Sequence, residues 1–126
     1  MKIWKYSGIF MVATGMLHTV FAIIFGKEAF LKIIQEGVFN FPTSIDYERA
    51  FAVWFFICGI FIIFLGQVLH HYIKKEQKPA PLFFGYSMLI FTIFGCILEP
   101  GSGFWLFIPQ ALIIIIANKK MQTFNL

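Results

Sequence analysis

Ionisable side chains lie inside or at the ends of apolar segments of this sequence. Placing such a group in hydrocarbon costs free energy, so its presence there indicates a function. His18 lies within the first apolar segment, and Glu99 ends the third. Glu48 and Arg49 come directly before the second. A histidine near a carboxylate can accept and return a proton, so acid–base chemistry on an apolar substrate is one function that this set allows. Binding of a ligand through the same groups is another.

Helix geometry places these groups at similar depth. At ~1.5 Å of rise per residue, His18 lies ~10 Å below the outer end of its helix, and Gln110 would form a floor beneath it. The alternative is that the polar groups only join helices through hydrogen bonds, with Arg49 paired to Glu99 or Glu48. The predicted outward-opening pocket has these candidate lining residues: His18, Glu48, Arg49, Trp54, Thr92, Glu99, Trp105 and Gln110.

The remaining histidines and the cysteines suggest no further chemistry. A haem would need axial ligands at one depth, but His70 lies ~30 Å below the outer end of its helix and His18 only ~10 Å. His70 and His71, beside Lys74, are instead typical of a cytoplasmic interface. Cys58 and Cys96 lack CxxC spacing and are expected to be buried free thiols. No metal site and no cofactor is predicted, because no ligand set or nucleotide motif is visible.

The composition of the chain predicts a membrane protein. In 126 residues, 60% are hydrophobic and only 13% are charged, with a mean hydropathy of +0.82. The apolar runs are unbroken, as in 51–69, whereas barrel strands would alternate apolar and polar residues. A net charge of +4 comes from short clusters beside the apolar segments, without a basic face, so nucleic-acid binding is not predicted.

The apolar segments predict a single domain, 1–126, of the all-α class: an antiparallel, up-down, four-helix transmembrane bundle. Each segment is near the ~20 residues that cross ~30 Å of hydrocarbon, although the fourth is short. A short amphipathic segment is predicted between the first two helices, and Pro109 predicts a kink in the fourth. The expected spans are about 4–25, 49–73, 81–98 and 103–118.

Charge distribution predicts the orientation. With the N-terminus inside, seven of the ten Lys and Arg residues fall on the cytoplasmic side and three fall outside. Both termini are therefore expected to face the cytoplasm. The alternative is that the first segment is a cleaved signal peptide with a Val20-Phe21-Ala22 triplet, but its apolar run is long for that role.

Small residues at heptad spacing predict which face of each helix packs against its neighbours, because close helix approach in lipid requires small side chains. Every predicted span has such a stripe. The members are Gly8, Gly15, Thr19, Ala22 and Gly26; Ala52, Gly59 and Gly66; Gly85, Thr92 and Gly95 or Cys96; and Gly103, Gln110 and Ala117.

Several short motifs carry a family resemblance that covers almost the whole chain. They are Gly15 with His18, Trp54-Phe55, Gly66 and the run from Glu99 to Trp105. Together they resemble a family of small bacterial four-helix membrane proteins, domain of unknown function 6463. The resemblance implies a multi-pass protein of the bacterial inner membrane, and it has no established activity to transfer.

Three function classes follow from these observations. The first is a protein that binds a lipid or small apolar ligand in the outer pocket, or serves as an accessory subunit to a membrane partner or a second copy of itself. The second is a membrane-embedded acid–base enzyme, comparable by analogy to four-helix sterol isomerases. The third is an oligomeric transporter, which is favoured least because no acidic residue lies in mid-span.

Overall fold

The computed structural model of the chain describes residues 2–40 and 43–124, and its regular elements in that part are all helical. Short 3-10 turns at Ile3–Tyr6 and Gly103–Leu106 lead into the first and last α-helices. The predicted all-α class is confirmed. The helices are α1 Ser7–Phe25, α2 Lys27–Glu36, α3 Tyr47–Glu76, α4 Leu82–Leu98 and α5 Phe107–Phe124.

Three helical stretches are long and apolar enough to cross a membrane: Ile3–Phe25, Tyr47–Glu76 and Gly103–Thr123. The fourth apolar helix, Leu82–Leu98, has 17 residues. The last helix extends beyond the end of its expected span, 103–118. Hydropathy falls after Ala117, but residues such as Lys119 and Lys120 are good helix formers and continue α5 past the apolar run.

Helices α1 and α3 pack against each other through glycines spaced by seven residues. A Cβ atom on Gly15 would lie 2.7 Å from the backbone N of Ile63, and one on Gly66 would lie 2.6 Å from that of Val12. Residue numbers rise along α1 as they fall along α3, so the pair is antiparallel. The predicted small-residue stripes on these two helices are confirmed, because no side chain larger than hydrogen fits where the backbones meet.

Helices α4 and α5 form a second antiparallel pair. A Cβ on Gly85 would lie 2.8 Å from Ile115 Cγ1, and one on Gly95 would lie 2.6 Å from Phe104 Cγ. Gly103 was predicted to continue the stripe on the last helix, but nothing lies within 4 Å of a Cβ built there. The reason is that Gly103 belongs to the 3-10 turn, outside the regular helix. A core of buried residues joins the two pairs: Met11, Leu69, Ile73, Ala80, Met88, Ala111 and Ile114.

The predicted amphipathic segment is the helix α2, which follows α1 after the single residue Gly26. Its Phe30 ring packs edge-on against Phe56 of α3, with ring centroids 5.8 Å apart. Gly37 ends α2 with a φ of 93°, a conformation that favours glycine. The helix therefore lies folded back against the first turns of α3.

Pro109 does not lie in the interior of a helix. It is the third residue of α5, because the preceding residues form the 3-10 turn. In the first turn of a helix the missing N–H of proline has no intrahelical partner to lose. The predicted kink is therefore not required at this position.

Candidate functional site

A polar cavity of about 260 Å³ lies between α2 and the first turn of α3. The first residues of α3 and the polar face of α2 supply its walls, so two elements that are separated by the 37–46 connection meet there. Two of the predicted pocket residues, Glu48 and Arg49, line it. The complete lining is Glu28, Ala29, Leu31, Lys32, Gln35, Asp46, Glu48 and Arg49.

Asp46 fixes the junction of the two elements. Its side chain caps α3 by accepting a hydrogen bond from the backbone N–H of Arg49, with Oδ1 3.0 Å from that nitrogen. Its Oδ2 forms an ion pair with Lys32 Nζ at 3.1 Å. The Arg49 N–H and then the Lys32 amine hold the pKa of Asp46 below its usual range, and Asp46 in turn raises the pKa of Lys32.

Arg49 and Glu48 differ in their environment. Arg49 is half-buried, and its Nη1 donates a hydrogen bond of 3.2 Å to the carbonyl oxygen of Asn40. Glu48 is exposed. Over residues 2–40 and 43–124, the only ion pair within 4.0 Å is that of Lys32 and Asp46. The alternative in which Arg49 simply pairs with Glu48 or Glu99 is therefore not observed in this part of the chain.

His18 lies on the packed face between α1 and α3. Its Nε2 is 3.1 Å from the carbonyl oxygen of Phe55. Its ring packs edge-on against the Phe55 ring, with ring centroids 4.2 Å apart. A carbonyl only accepts, so Nε2 carries a proton in this contact and donates it. His18 thus links two helices through a backbone group.

Gln110 connects the two helix pairs. Its Nε2 donates to Thr14 Oγ1 over 2.8 Å and to the Leu106 carbonyl over 3.0 Å. The Thr14 hydroxyl donates in turn to the Phe10 carbonyl at 2.9 Å. Thr14 was not among the predicted site residues, although its position one turn before His18 was a signal for it. Gln110 Oε1 and the hydroxyl of Thr92 are buried without a hydrogen-bond partner among the described residues.

The other candidate residues, Trp54, Glu99 and Trp105, lie at the surface. Glu99 is exposed and ends α4. Trp105 closes the turn before α5, because its Nε1 donates to the Pro100 carbonyl over 2.8 Å. Trp54 and Trp105 are 64% and 54% exposed, which is typical of interface anchors. In the described residues no hydrogen bond joins His18, Arg49 and Glu99 to one another.

Two cysteine thiols are free, as predicted. Cys96 is buried, but the prediction of burial was wrong for Cys58, which is exposed. It lies ~100° around α3 from its neighbour Gly59, and Gly59 faces α1. Within residues 2–40 and 43–124, no group of three or more His, Cys, Asp or Glu side chains could hold a metal ion.

Sequence reasoning missed six of the eight lining residues of the observed cavity, because it treated α2 only as a surface helix. Glu28, Lys32 and Asp46 were not candidates, although alternating charge on the polar face of an amphipathic helix was the available signal. The fold and the cavity together define an all-helical protein with three helices that could cross a membrane.

Comparison with known proteins gives the family. Residues 2–121 match the profile of the family of unknown function DUF6463, and the chain belongs to that family. The resemblance stated from its motifs is thereby confirmed. No curated protein and no solved structure gave a significant match.

Proposed function

We propose that the chain is an integral membrane protein with four spans, formed by α1, α3, α4 and α5. The short α4 supports a fourth span because it lies antiparallel along α5, from Gly85 beside Ile115 to Gly95 beside Phe104. A helix of 17 residues also lies within the range of about 17–25 residues that can span the hydrocarbon core. The antiparallel pairs then alternate in direction, as in an up-down bundle.

Charge supports the orientation of the bundle in a cytoplasmic membrane. Seven of the ten Lys and Arg residues flank one end of the bundle, namely Lys2, Lys5, Lys74, Lys75, Lys78, Lys119 and Lys120. The flanking positive charges of a membrane protein are retained in the cytoplasm, so both termini lie there. The α2 helix and its cavity then face the outside.

The function that we propose is binding of a zwitterionic phospholipid by this outer cavity. The observation that carries it is an exposed apolar surface on α2 directly beside a charged cavity. Leu31 lines the cavity and is 42% exposed, and Ile34, one turn further, is 69% exposed. Exposed apolar groups on an amphipathic helix insert at the boundary between headgroups and acyl chains.

Charges of both signs in the cavity suit a headgroup that carries both. Arg49 uses one N–H for the Asn40 carbonyl, which leaves donors of its guanidinium for a phosphate oxygen. Glu28 and Glu48 contribute carboxylates to the same lining and would attract an ammonium group. Lys32 and Asp46 neutralise each other in their ion pair and hold the two walls together.

Native mass spectrometry of the full chain in detergent tests this proposal. After exchange into phosphatidylethanolamine, the protein should retain this lipid, and Arg49→Gln should weaken that retention by about fivefold or more. Lys120→Gln, at the other end of the bundle, is the matched control and should retain phosphatidylethanolamine as the wild type does. Unchanged retention of phosphatidylethanolamine in the Arg49 variant, or an equal loss in Lys120→Gln, would overturn the proposal.

The other functions stay predictions. No contact described above favours the acid–base enzyme or the oligomeric transporter, because His18 hydrogen-bonds a backbone carbonyl. An accessory role is compatible with lipid binding and would use the same outer surface.

A further inference from the structure

A second cavity, of about 310 Å³, lies between α1 and the last third of α3, far from α2. Ile9 and Val12 of α1 form its apolar wall. Gln67, His70, His71 and Lys74 of α3 form its polar wall. Its volume lies at the lower end of the range of ligand pockets, about 300–1,000 Å³.

The polar wall follows from helix periodicity. Residues at i, i+3, i+4 and i+7 share one face of a helix, which is the spacing of these four residues of α3. Along α3, the polar wall therefore begins with the neutral amide of Gln67, continues with the two imidazoles and ends with the exposed ammonium group of Lys74. The ammonium group of Lys74 places the positive charge of this wall at the end of α3, which is the end with most of the lysines.

Helices α1 and α3 pack closely beside this wall. A Cβ on Gly8 would collide with the backbone of His70, so the two chains meet there at the minimum separation. Gly66 gives α3 the same approach to Val12 one turn earlier. The Nδ1 atom of His70 is buried without a hydrogen-bond partner in the described residues. Close contact at these glycines thus fixes the separation of α1 and α3 beside the cavity.

Apolar surface continues from the cavity toward the middle of the helices. Ile9 is 46% exposed, and about two and three turns further on the same helix Met16 and Val20 are 59% and 52% exposed. On α3, Phe64 and Val68 are 55% and 65% exposed. A ligand that extends from the cavity along this surface would contact these apolar side chains.

We infer that this cavity binds an anionic phospholipid of the cytoplasmic leaflet. Lys74 and His71 would contact the phosphate, Gln67 would donate to a headgroup oxygen, and the acyl chains would lie along Ile9 and Met16. Charge favours an anionic headgroup, because six other lysines flank this end of the bundle with Glu76 as the only acid in those flanks. The inference shares the membrane arrangement with the proposed function, but it concerns a different site and a different lipid.

The test measures phosphatidylglycerol binding to the full chain in nanodiscs or mixed micelles, with phosphatidylcholine as the reference lipid. Lys74→Gln and His71→Gln both change exposed side chains, so the fold should persist. A lysine near a membrane surface contributes about 1 kcal/mol, so Lys74→Gln should weaken phosphatidylglycerol binding about fivefold. The joint variant should weaken it further.

Two controls separate this site from other sources of binding. Lys119→Gln removes the same charge from α5 and should leave binding near the wild-type value; an equal loss there would mean diffuse attraction and would overturn the site. Soluble glycerol phosphate should compete poorly, and competition as strong as that of the lipid would overturn the lipid as occupant. Unchanged binding in Lys74→Gln would also overturn the inference. Arg49→Gln should have no effect on this binding, so failure here is distinguishable from failure at the outer cavity.

Discussion

The side-chain amide of Gln110 in α5 donates a hydrogen bond of 2.8 Å to the hydroxyl of Thr14 in α1. These residues are 96 positions apart in the chain, and their contact ties one antiparallel helix pair to the other. In hydrocarbon, hydrogen bonds between helices are worth about 0.6 kcal/mol on average and up to about 1.7. This single bond is therefore a measurable part of the association of the two pairs.

Gln110→Leu and Thr14→Val should each lower the unfolding free energy by about 0.6–1.7 kcal/mol, and together they should cost less than the sum. Denaturation in mixed micelles would measure the coupling. Thr92→Val is the matched control, because that hydroxyl is buried without a partner in the described residues. Its replacement by a methyl group should be neutral or stabilising. Strictly additive losses for Gln110 and Thr14 would mean that the bond does not contribute.

The glycine seam of α1 and α3 should not tolerate larger side chains. A Cβ on Gly59 would collide with Thr19, and one on Gly66 would lie 2.6 Å from the backbone of Val12. Leucine at either position should therefore destabilise the protein by about 1–3 kcal/mol through overpacking. Thermal denaturation in detergent measures this loss.

Gly103→Ala is the control for that series, since a Cβ there has open space and its φ is not positive. It should change stability by no more than about 0.5 kcal/mol. If leucine at Gly59 or Gly66 were tolerated as well as alanine at Gly103, the close packing of α1 and α3 would be wrong.

The contact between Asp46 and Lys32 should depend on pH in a direction set by their shifted pKa values. The pKa of Asp46 is lowered in the folded state, so its contribution to stability is present above its unfolded value of about 3.9 and is lost as pH falls through the folded value. The pKa of Lys32 is raised, so its contribution is present below about 10.4 and is lost only as pH rises through the folded value. Both contributions are complete at pH 7.

Melting temperatures at pH 7 and pH 3 test this account. Lys32→Gln should lower the melting temperature at pH 7 and have a smaller effect at pH 3, because pH 3 lies below the unfolded pKa of Asp46 of about 3.9, where the contribution of the pair to stability declines. Asp46→Asn should behave like Lys32→Gln because asparagine still caps a helix, whereas Asp46→Ala should lose more. Lys27→Gln, on the same helix, should have no effect. An equal loss for Lys32→Gln at both pH values would contradict the ion pair.

The glycine contact between α1 and α3 could be predicted from the sequence, whereas most of the observed cavity could not. Two glycines that are seven residues apart occur in α1, Gly8 and Gly15, and two in α3, Gly59 and Gly66. This spacing alone predicts a face of close helix contact. The partner of His18 could not be predicted in this way, because it is the backbone carbonyl of Phe55, which every residue possesses. Lys32 contacts Asp46 only because the chain reverses direction after Gly37. No periodic pattern of residues in the sequence predicts that reversal.

The orientation of the bundle is the last prediction, and it follows from the asymmetry of seven Lys residues on one side against three Lys or Arg residues on the other. A fluorescent protein fused to the C-terminus should fold and fluoresce, while an alkaline phosphatase fused there should be inactive, because each folds on only one side of the membrane. A cysteine introduced at Gln35, with Cys58 and Cys96 replaced by Ser, should react with an impermeant maleimide added to intact cells. A cysteine introduced at Gln77, at the end of α3, is the control and should react only after the membrane is opened. The opposite labelling pattern would contradict this orientation and would place both proposed lipid sites in the other leaflet.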